Sequence, residues 1–207
     1  MHSHTLARIF AAGIAASAWV GLAVQLSFSY ATTGSLWLAA WAMLGFFTIL
    51  TNLLVAVVFT SIALDRMPSP GALAGTMLSI LLVGIINALL LWGALELSGG
   101  SALVDKLLHV ATPILVPIYW ACFTPKGQLT RKYPLIWSIY PLVYLAYAML
   151  RGLATGRFAY PFINALELGW QRTAINVFLI SLGFLAAGYA VVRLDAFLSS
   201  RAVRSGA

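Results

Sequence analysis

The sequence contains four candidate catalytic side chains. Three are polar residues of one predicted helix, and the fourth is a histidine of another. Thr48, Thr51 and Asn52 are spaced i, i+3 and i+4, so a helix places them on one face. His109 is the only histidine inside an apolar segment, because the other two lie in the N-terminal tail. A threonine hydroxyl is almost fully protonated at neutral pH, and an imidazole with an ordinary pKa of about 6.5 can take its proton. The pairing predicts nucleophilic attack on a carbonyl, as in acyl transfer.

The oxyanion that forms in such an attack needs hydrogen-bond donors nearby. Asn52 lies one turn beyond Thr48 and is the nearest amide in sequence, while Asn87 and Asn176 are more distant candidates. Thr51 is an alternative to Thr48 as the partner of the histidine. A structural interpretation stays open for every one of these groups, because amides in apolar helices commonly join neighbouring helices, each by about 1 kcal/mol or less. For the histidine, catalysis and a satisfied structural role are equally open.

Other kinds of chemistry are disfavoured by what the sequence lacks. No second histidine and no Cys, Asp or Glu cluster shares the depth of His109, so no metal site is expected and no cofactor is predicted. The absence of a G-x-S-x-G motif excludes an α/β-hydrolase. Glu96, Asp105 and Glu167 are all near the ends of apolar segments, so we expect no carboxylate in the helix centres. The single cysteine, Cys122, cannot form an intrachain disulfide.

The composition is that of a protein surrounded by lipid. Of the 207 residues, 62% are hydrophobic and 8% are charged, and the mean hydropathy is +0.96. An average soluble domain has about 25% charged residues. A soluble fold of this size could not hide so much apolar surface. The net charge of +7 does not indicate nucleic-acid binding, because the basic residues are scattered at segment ends instead of forming a stripe with aromatics.

Six apolar segments are each long enough to cross a hydrocarbon core of about 30 Å. Helix breakers such as Pro68, Pro70 and the Pro125-Lys126-Gly127 run separate them. The sequence therefore predicts an all-α fold, a single transmembrane domain over residues 1–207 with six transmembrane helices. They are predicted at about 6–27, 36–64, 72–97, 102–123, 134–153 and 172–194.

The distribution of Lys and Arg predicts the orientation of these helices. With the N-terminus inside, the cytoplasmic side holds eight basic residues, namely Arg8, Arg66, Lys126, Arg131, Lys132, Arg193, Arg201 and Arg204. The outer side holds four, namely Lys106, Arg151, Arg157 and Arg172. We therefore expect a multi-pass protein of the cell membrane with both termini in the cytoplasm. The second and fourth helices then run in the same direction, which places Thr48 and His109 at similar depth.

Four short motifs resemble one family of membrane proteins. They are Phe47-Thr48-Ile49-Leu50-Thr51-Asn52-Leu53-Leu54, His109-Val110-Ala111-Thr112-Pro113, Tyr140-Pro141 with Tyr144, and Tyr160-Pro161-Phe162. The first, second and fourth are similar to motifs of the androgen-induced/FAR-17a-like membrane proteins. All four, in this order across most of the chain, are similar to motifs of a bacterial six-helix branch, which looks closer still. The order of the four motifs carries the resemblance more than any one of them.

The resemblance implies an activity, because eukaryotic members hydrolyse fatty acid esters of hydroxy fatty acids with an intramembrane threonine and histidine. Carried onto this sequence, Thr48 would be the nucleophile and His109 the base. Thr51 could take the place of Thr48, and the interval from histidine to proline is one residue shorter than in the eukaryotic members. Arg151 and Arg157 are candidates to bind the free carboxylate of the substrate, although such arginines commonly extend to lipid headgroups.

Two other functions use the same polar groups. A small transporter or channel would employ His109 and the asparagines as a polar path, but the sequence lacks an internal repeat and a central carboxylate. A non-catalytic scaffold or lipid-binding protein would use them only to join helices. The expected partners are a lipid or fatty-acyl ester substrate and membrane lipids, and no nucleic acid. The sequence does not predict an oligomeric state.

Overall fold

Helix dominates the computed structural model, which describes residues 2–91 and 99–205. Of the described residues, 86% are helical and none lies in a strand. This confirms the predicted all-α class. Five helices are long and apolar enough to cross a membrane, or six if one bent pair forms a single span. These helices are compatible with a multi-pass membrane protein, while the count of six spans and the cytoplasmic termini stay predictions.

The chain divides into two compact units, Met1–Thr124 and Pro125–Ala207, and the single domain predicted from the sequence stays a prediction. The described helices of the first unit are α1 His2–Thr33, α2 Leu36–Met43, α3 Phe47–Ala63, α4 Pro70–Ile86, α5 Gly99–Lys106 and α6 Thr112–Phe123. Within this unit α1 packs mainly on α3, and α4 packs on both α3 and α6.

The prediction of one uninterrupted helix over 36–64 is wrong. The chain forms α2 and α3 instead, and their axes meet at 97°. Gly45 lies in the break, where its low helix propensity favours a turn, and Phe46 is extended with φ −104° and ψ 132°. As a consequence, Thr48 lies in the first turn of α3 and not in the middle of a long helix.

The start of α4 follows ordinary capping rules. The hydroxyl of Ser69 accepts a backbone N–H of the first turn at 3.2 Å, and Pro70 occupies the first helical position, where no N–H is needed. The helix ends in a π-helical turn at Asn87–Leu91. Of the predicted helix 72–97, the last residues, 92–97, lie outside the described residues.

Small and aromatic side chains build the core of the first unit. Phe59 and Tyr119 are almost fully buried, and their rings meet edge to face with centroids 5.1 Å apart. Where α4 crosses α6, a Cβ added at Gly84 would lie 2.7 Å from the Cβ of Pro113 and 3.5 Å from the carbonyl oxygen of His109. Only glycine permits this approach, so α4 packs directly on the backbone around the histidine.

The second unit has its own buried polar contact. Its helices are α7 Tyr133–Thr155, α8 Ala165–Leu168 and α9 Trp170–Ser205, with a 3₁₀ turn at Pro161–Ile163. The helix α7 covers the predicted segment 134–153, and α9 extends beyond both ends of 172–194. The buried carboxylate of Asp195 accepts the N–H groups of Gly127 and Leu129 at 2.8 and 3.0 Å. These bonds hold the loop before α7 against α9.

Candidate functional site

Three polar side chains in the first two turns of α3 are buried in the first unit. Thr48 is the second residue of α3 and is 7% exposed, whereas Thr51 and Asn52 are fully buried. Burial of a polar group is costly unless it finds a partner. The contacts of these side chains therefore define the role of this face of α3.

His109 lies in a π-helical turn over residues 107–111, between α5 and α6. The N–H of Thr112 donates to the carbonyl five residues back, whereas an α-helix would use the carbonyl four residues back. At the same spacing Leu108 would pair with Pro113, which has no N–H. The carbonyl of Leu108 must therefore find a side-chain donor. Such π turns are rare and are frequent at functional sites.

Two side chains donate to this carbonyl, the hydroxyl of Thr112 at 3.3 Å and the amide of Asn52, which joins α3 to the π turn. Its Nδ2 donates to the carbonyl of Leu108 at 3.1 Å and to the carbonyl of Thr48 at 2.9 Å. Its Oδ1 accepts the hydroxyl of Thr112 at 2.7 Å. Both N–H groups of the amide are thereby used. An oxyanion role for Asn52 stays a prediction, and its observed contacts hold the first turns of α3 in register with the histidine.

Thr48 and His109, 61 positions apart in the sequence, meet across this interface. The Oγ1 of Thr48 lies 3.3 Å from the Nε2 of His109. When the ring proton is on Nδ1, Nε2 is an acceptor and the hydroxyl donates to it, which is the arrangement that activates a nucleophile. The separation is slightly longer than the usual range of about 2.6–3.2 Å.

Asp105 is the residue of this site that the sequence analysis missed. Its Oδ1 lies 2.8 Å from the Nδ1 of His109, one helical turn away on the same chain segment. The buried Nδ1 has no well-aligned hydrogen bond, so at this distance the N–H lies off the direct line to the carboxylate. The i, i+4 spacing was the available signal, but the position of Asp105 near a segment end had argued against it.

The remaining candidates of the first unit are Thr51 on α3 and Asn87 in the π turn that ends α4. Thr51 is fully buried three residues beyond Thr48. Asn87 is half-buried at the end of α4, three residues beyond Gly84, and spacing places it on the face of α4 that meets α6. The choice of Thr48 over Thr51 is favoured by the 3.3 Å contact, and the oxyanion role of Asn87 stays a prediction.

The other three predicted residues belong to the second unit. The Nδ2 of Asn176 donates to the carbonyl of Phe162 at 3.0 Å, which joins α9 to the 3₁₀ turn. A guanidinium nitrogen of Arg151 donates to the hydroxyl of Tyr147 at 2.7 Å. Arg157 is exposed in the loop after α7. Oxyanion binding by Asn176 and carboxylate binding by the two arginines stay predictions.

Among the described residues, no group of three or more His, Cys, Asp and Glu side chains is placed to hold a metal ion. No family model, curated protein or solved structure matches the chain.

Proposed function

We propose that this chain is a membrane-embedded hydrolase of fatty-acyl esters, with Thr48 as the nucleophile and His109 as the base. The observation that supports this most is the 3.3 Å separation of Oγ1 and Nε2. Acyl transfer needs these two groups side by side. The two residues lie on segments that are distant in sequence. His109 lies in a π turn, and buried Asn52 on the helix of Thr48 donates to the carbonyl of Leu108 in that turn.

The proposed reaction has two halves. The Oγ1 of Thr48 attacks the ester carbonyl while Nε2 of His109 takes its proton, and a tetrahedral oxyanion forms. The oxyanion collapses to an acyl-threonine, and the imidazolium returns the proton to the departing alcohol. His109 then deprotonates a water, which attacks the acyl-threonine. As the bond between the acyl carbon and Oγ1 breaks, the imidazolium returns the proton to Oγ1, and the fatty acid leaves with Thr48 restored. The first turn of α3 is a favourable place for the negative charge, since a helix N-terminus carries partial positive charge.

The surroundings of the pair indicate a lipid substrate. Apolar side chains such as Val57 on α3 and Ile114 on α6 are more than half exposed, at 54% each. Exposed apolar surface on long apolar helices is expected to face acyl chains. A substrate that reaches Thr48 through that environment must itself be soluble in lipid, so its acyl chain would lie between the helices.

Membership in the androgen-induced/FAR-17a-like family is part of this proposal, and so are the six spans, the cytoplasmic termini and the location in the cell membrane. The motifs around Thr48 and His109 support it. Under this proposal the substrate is a fatty acid ester of a hydroxy fatty acid. Arg151 and Arg157 would then be candidates for its free carboxylate.

The test is ester hydrolysis by the full-length protein in lipid nanodiscs. A fluorogenic medium-chain ester and a fatty acid ester of a hydroxy fatty acid are the substrates, and released acid is measured for wild type, Thr48→Ala and His109→Gln. Removal of the nucleophile or base is expected to lower kcat by at least about 100-fold, because acid–base catalysis contributes about 10²–10⁴-fold.

Thr76→Ala is the matched control. Thr76 is a buried threonine of α4, 3% exposed, whose hydroxyl donates to a carbonyl of its own helix, so the change removes the same atoms away from the histidine. It is expected to retain activity. Equal turnover by wild type and both site variants would overturn the hydrolase and leave transport or lipid binding as the function.

A further inference from the structure

We propose that Asp105 is a positioning residue for His109, holding the ring with its proton on Nδ1 so that Nε2 accepts the hydroxyl of Thr48. The catalytic consequence of this proposal rests on the proposed function, whereas the tautomer of the His109 ring can be measured without turnover. Thr48, His109 and Asp105 would then form a triad of nucleophile, base and positioning carboxylate.

The distances between the three side chains, and the ring nitrogen that each one contacts, support this. Oδ1 of Asp105 lies 2.8 Å from Nδ1, and Nε2, on the opposite side of the ring, lies 3.3 Å from Oγ1 of Thr48. The carboxylate and the hydroxyl therefore contact the two different nitrogens of one imidazole. An ionised carboxylate can only accept, so it favours the tautomer that carries the proton on the nitrogen it faces. That tautomer leaves the other nitrogen free to act as a base.

The burial of Nδ1 strengthens the assignment. This nitrogen is shielded from solvent, and no well-aligned protein acceptor reaches it among the described residues. A buried N–H without an acceptor is costly, so the nearby carboxylate is the group that can offset that cost. A small rotation of the ring or of the Asp105 side chain would align the N–H with Oδ1, as catalytic hydrogen bonds tighten when substrate binds.

Among the described residues of the helices packed on the π turn, no other carboxylate lies beside the ring. The elements against the π turn are α1, α3 and α4 beside its own neighbours α5 and α6. The described parts of α3 and α4 contain no titratable side chain. On α1 the titratable groups are the tail histidines and Arg8 at its start and Tyr30 near its end. Arg8 is roughly 20 Å along the helix from Gly21, which contacts the turn.

The other titratable groups on the ring's own segments do not replace Asp105. Lys106, the next residue, is exposed and positively charged, so it cannot accept the Nδ1 proton. Tyr119 and Cys122 lie on α6, ten or more positions beyond the histidine. Asp105 is therefore the one carboxylate that the described helices of this unit bring to the imidazole.

The first measurement is nitrogen NMR of the full-length protein with ¹⁵N-labelled histidine in nanodiscs. The His109 signals are identified by their loss in His109→Gln. Wild type is expected to show the proton on Nδ1. In Asp105→Asn the amide can donate to Nδ1, which should move the proton to Nε2. Identical His109 signals in wild type and Asp105→Asn would overturn the proposal, whether or not the protein hydrolyses esters.

The second measurement is steady-state hydrolysis by the same variants. Asp105→Asn is expected to lower kcat by about 100-fold or more with little change in KM, because the wrong tautomer presents a donor to Thr48. Asp105→Glu should recover a large part of kcat, which a loss of folding would not predict. If Thr48→Ala is inactive but Asp105→Asn keeps kcat within about threefold, the positioning role of Asp105 is wrong, whereas the proposed hydrolase activity is supported.

Asp65→Asn is the matched control for both measurements. Asp65 is an aspartate of the same unit that also contacts a histidine, since its Oδ1 lies 3.2 Å from Nε2 of His4. No hydroxyl nucleophile is proposed there. The variant is expected to leave the His109 signals and kcat unchanged. An equal loss of kcat in Asp65→Asn and Asp105→Asn would show a general effect of charge and overturn the specific role of Asp105.

Discussion

Two aspartate–histidine contacts occur among the described residues of the first unit, and their surroundings differ. His4 and Asp65 are 62% and 55% exposed and meet at 3.2 Å near the ends of α1 and α3. His109 and Asp105 are 21% and 31% exposed and meet at 2.8 Å. Water screens the first pair, whereas apolar packing around the second makes each charge and hydrogen bond matter more.

The difference also lies in the second ring nitrogen. In the contact of His109 the nitrogen that does not face the carboxylate faces Thr48, and in the contact of His4 the carboxylate is met by Nε2 at the surface. The same two residue types therefore form a surface contact in one place and, under the proposed function, would orient a base in the other. The identities of the two residues do not distinguish these contacts, whereas the group that faces the second ring nitrogen does.

The largest expected effect tests whether Thr48 and His109 act as one unit. The double variant Thr48→Ala with His109→Gln should lose no more kcat than the stronger single variant, on the order of 10³-fold, because removing either group already stops acyl transfer. Steady-state kinetics of the four proteins measures this. Losses that multiply would mean that the two residues act independently.

A smaller effect is expected when the bridge between α3 and the π turn is removed. Asn52→Leu keeps the branching of the side chain but removes the hydrogen bonds of the amide to the Leu108 carbonyl and the Thr112 hydroxyl. The hydroxyl of Thr112 retains the carbonyls of Leu107 and Leu108 at 3.3 Å, so the change should cost about 1–2 kcal/mol of stability. Thermal unfolding in detergent micelles measures the loss. We expect kcat to fall as well, since the helix register that brings the pair together is relaxed. Unchanged unfolding and unchanged kcat would contradict the bridging role.

Gly84→Ala tests the close approach of α4 to the histidine turn. The new methyl would lie 2.7 Å from the Cβ of Pro113, so overpacking should cost about 1–2 kcal/mol and reduce kcat by displacing the turn. Gly13→Ala on α1 is the control, because nothing lies within 4 Å of a Cβ there. The control is expected to be neutral or slightly stabilising, as alanine favours helix. Equal unfolding midpoints for the two variants would argue against a tight α4–α6 contact.

The smallest effect is expected at the exposed pair. His4→Gln should change the free energy of unfolding by less than about 1 kcal/mol, because exposed ion pairs contribute little. Unfolding in low and high salt measures both the change and its screening. A loss comparable to that of Asn52→Leu would show that the surface contact is stronger than its exposure indicates.

Part of the site could be predicted from local pattern. The spacing of Thr48, Thr51 and Asn52 indicated a shared helical face, and all three are buried. The isolation of His109 among apolar residues marked it for chemistry. The break at Gly45 was not predicted, because the apolar character of 36–64 runs through it without interruption. Hydropathy measures solvent preference and not backbone direction.

Asp105 could not be weighed correctly without the tertiary structure. From the sequence it is a charged residue near a segment end, where an acid normally faces water. The widened turn that follows it leaves its carboxylate within 2.8 Å of the ring of His109. The carbonyl of Leu108 in this π turn accepts one local donor, the hydroxyl of Thr112, and one distant donor, the amide of Asn52, and the distant contact cannot be read from the local sequence.

The sequence by itself determined that the chain is helical and largely apolar, since hydropathy and spacing reflect neighbours along one segment. The tertiary structure alone decided that Thr48 meets His109 across 61 positions and that Asp105 faces the other ring nitrogen. The physical reason is that a contact between helices requires their rotation, bend and crossing point to agree. In this chain that agreement involves the bend at Gly45, the close approach of α4 to Pro113 at Gly84, and the π turn at His109. Hydropathy along one segment does not report any of the three.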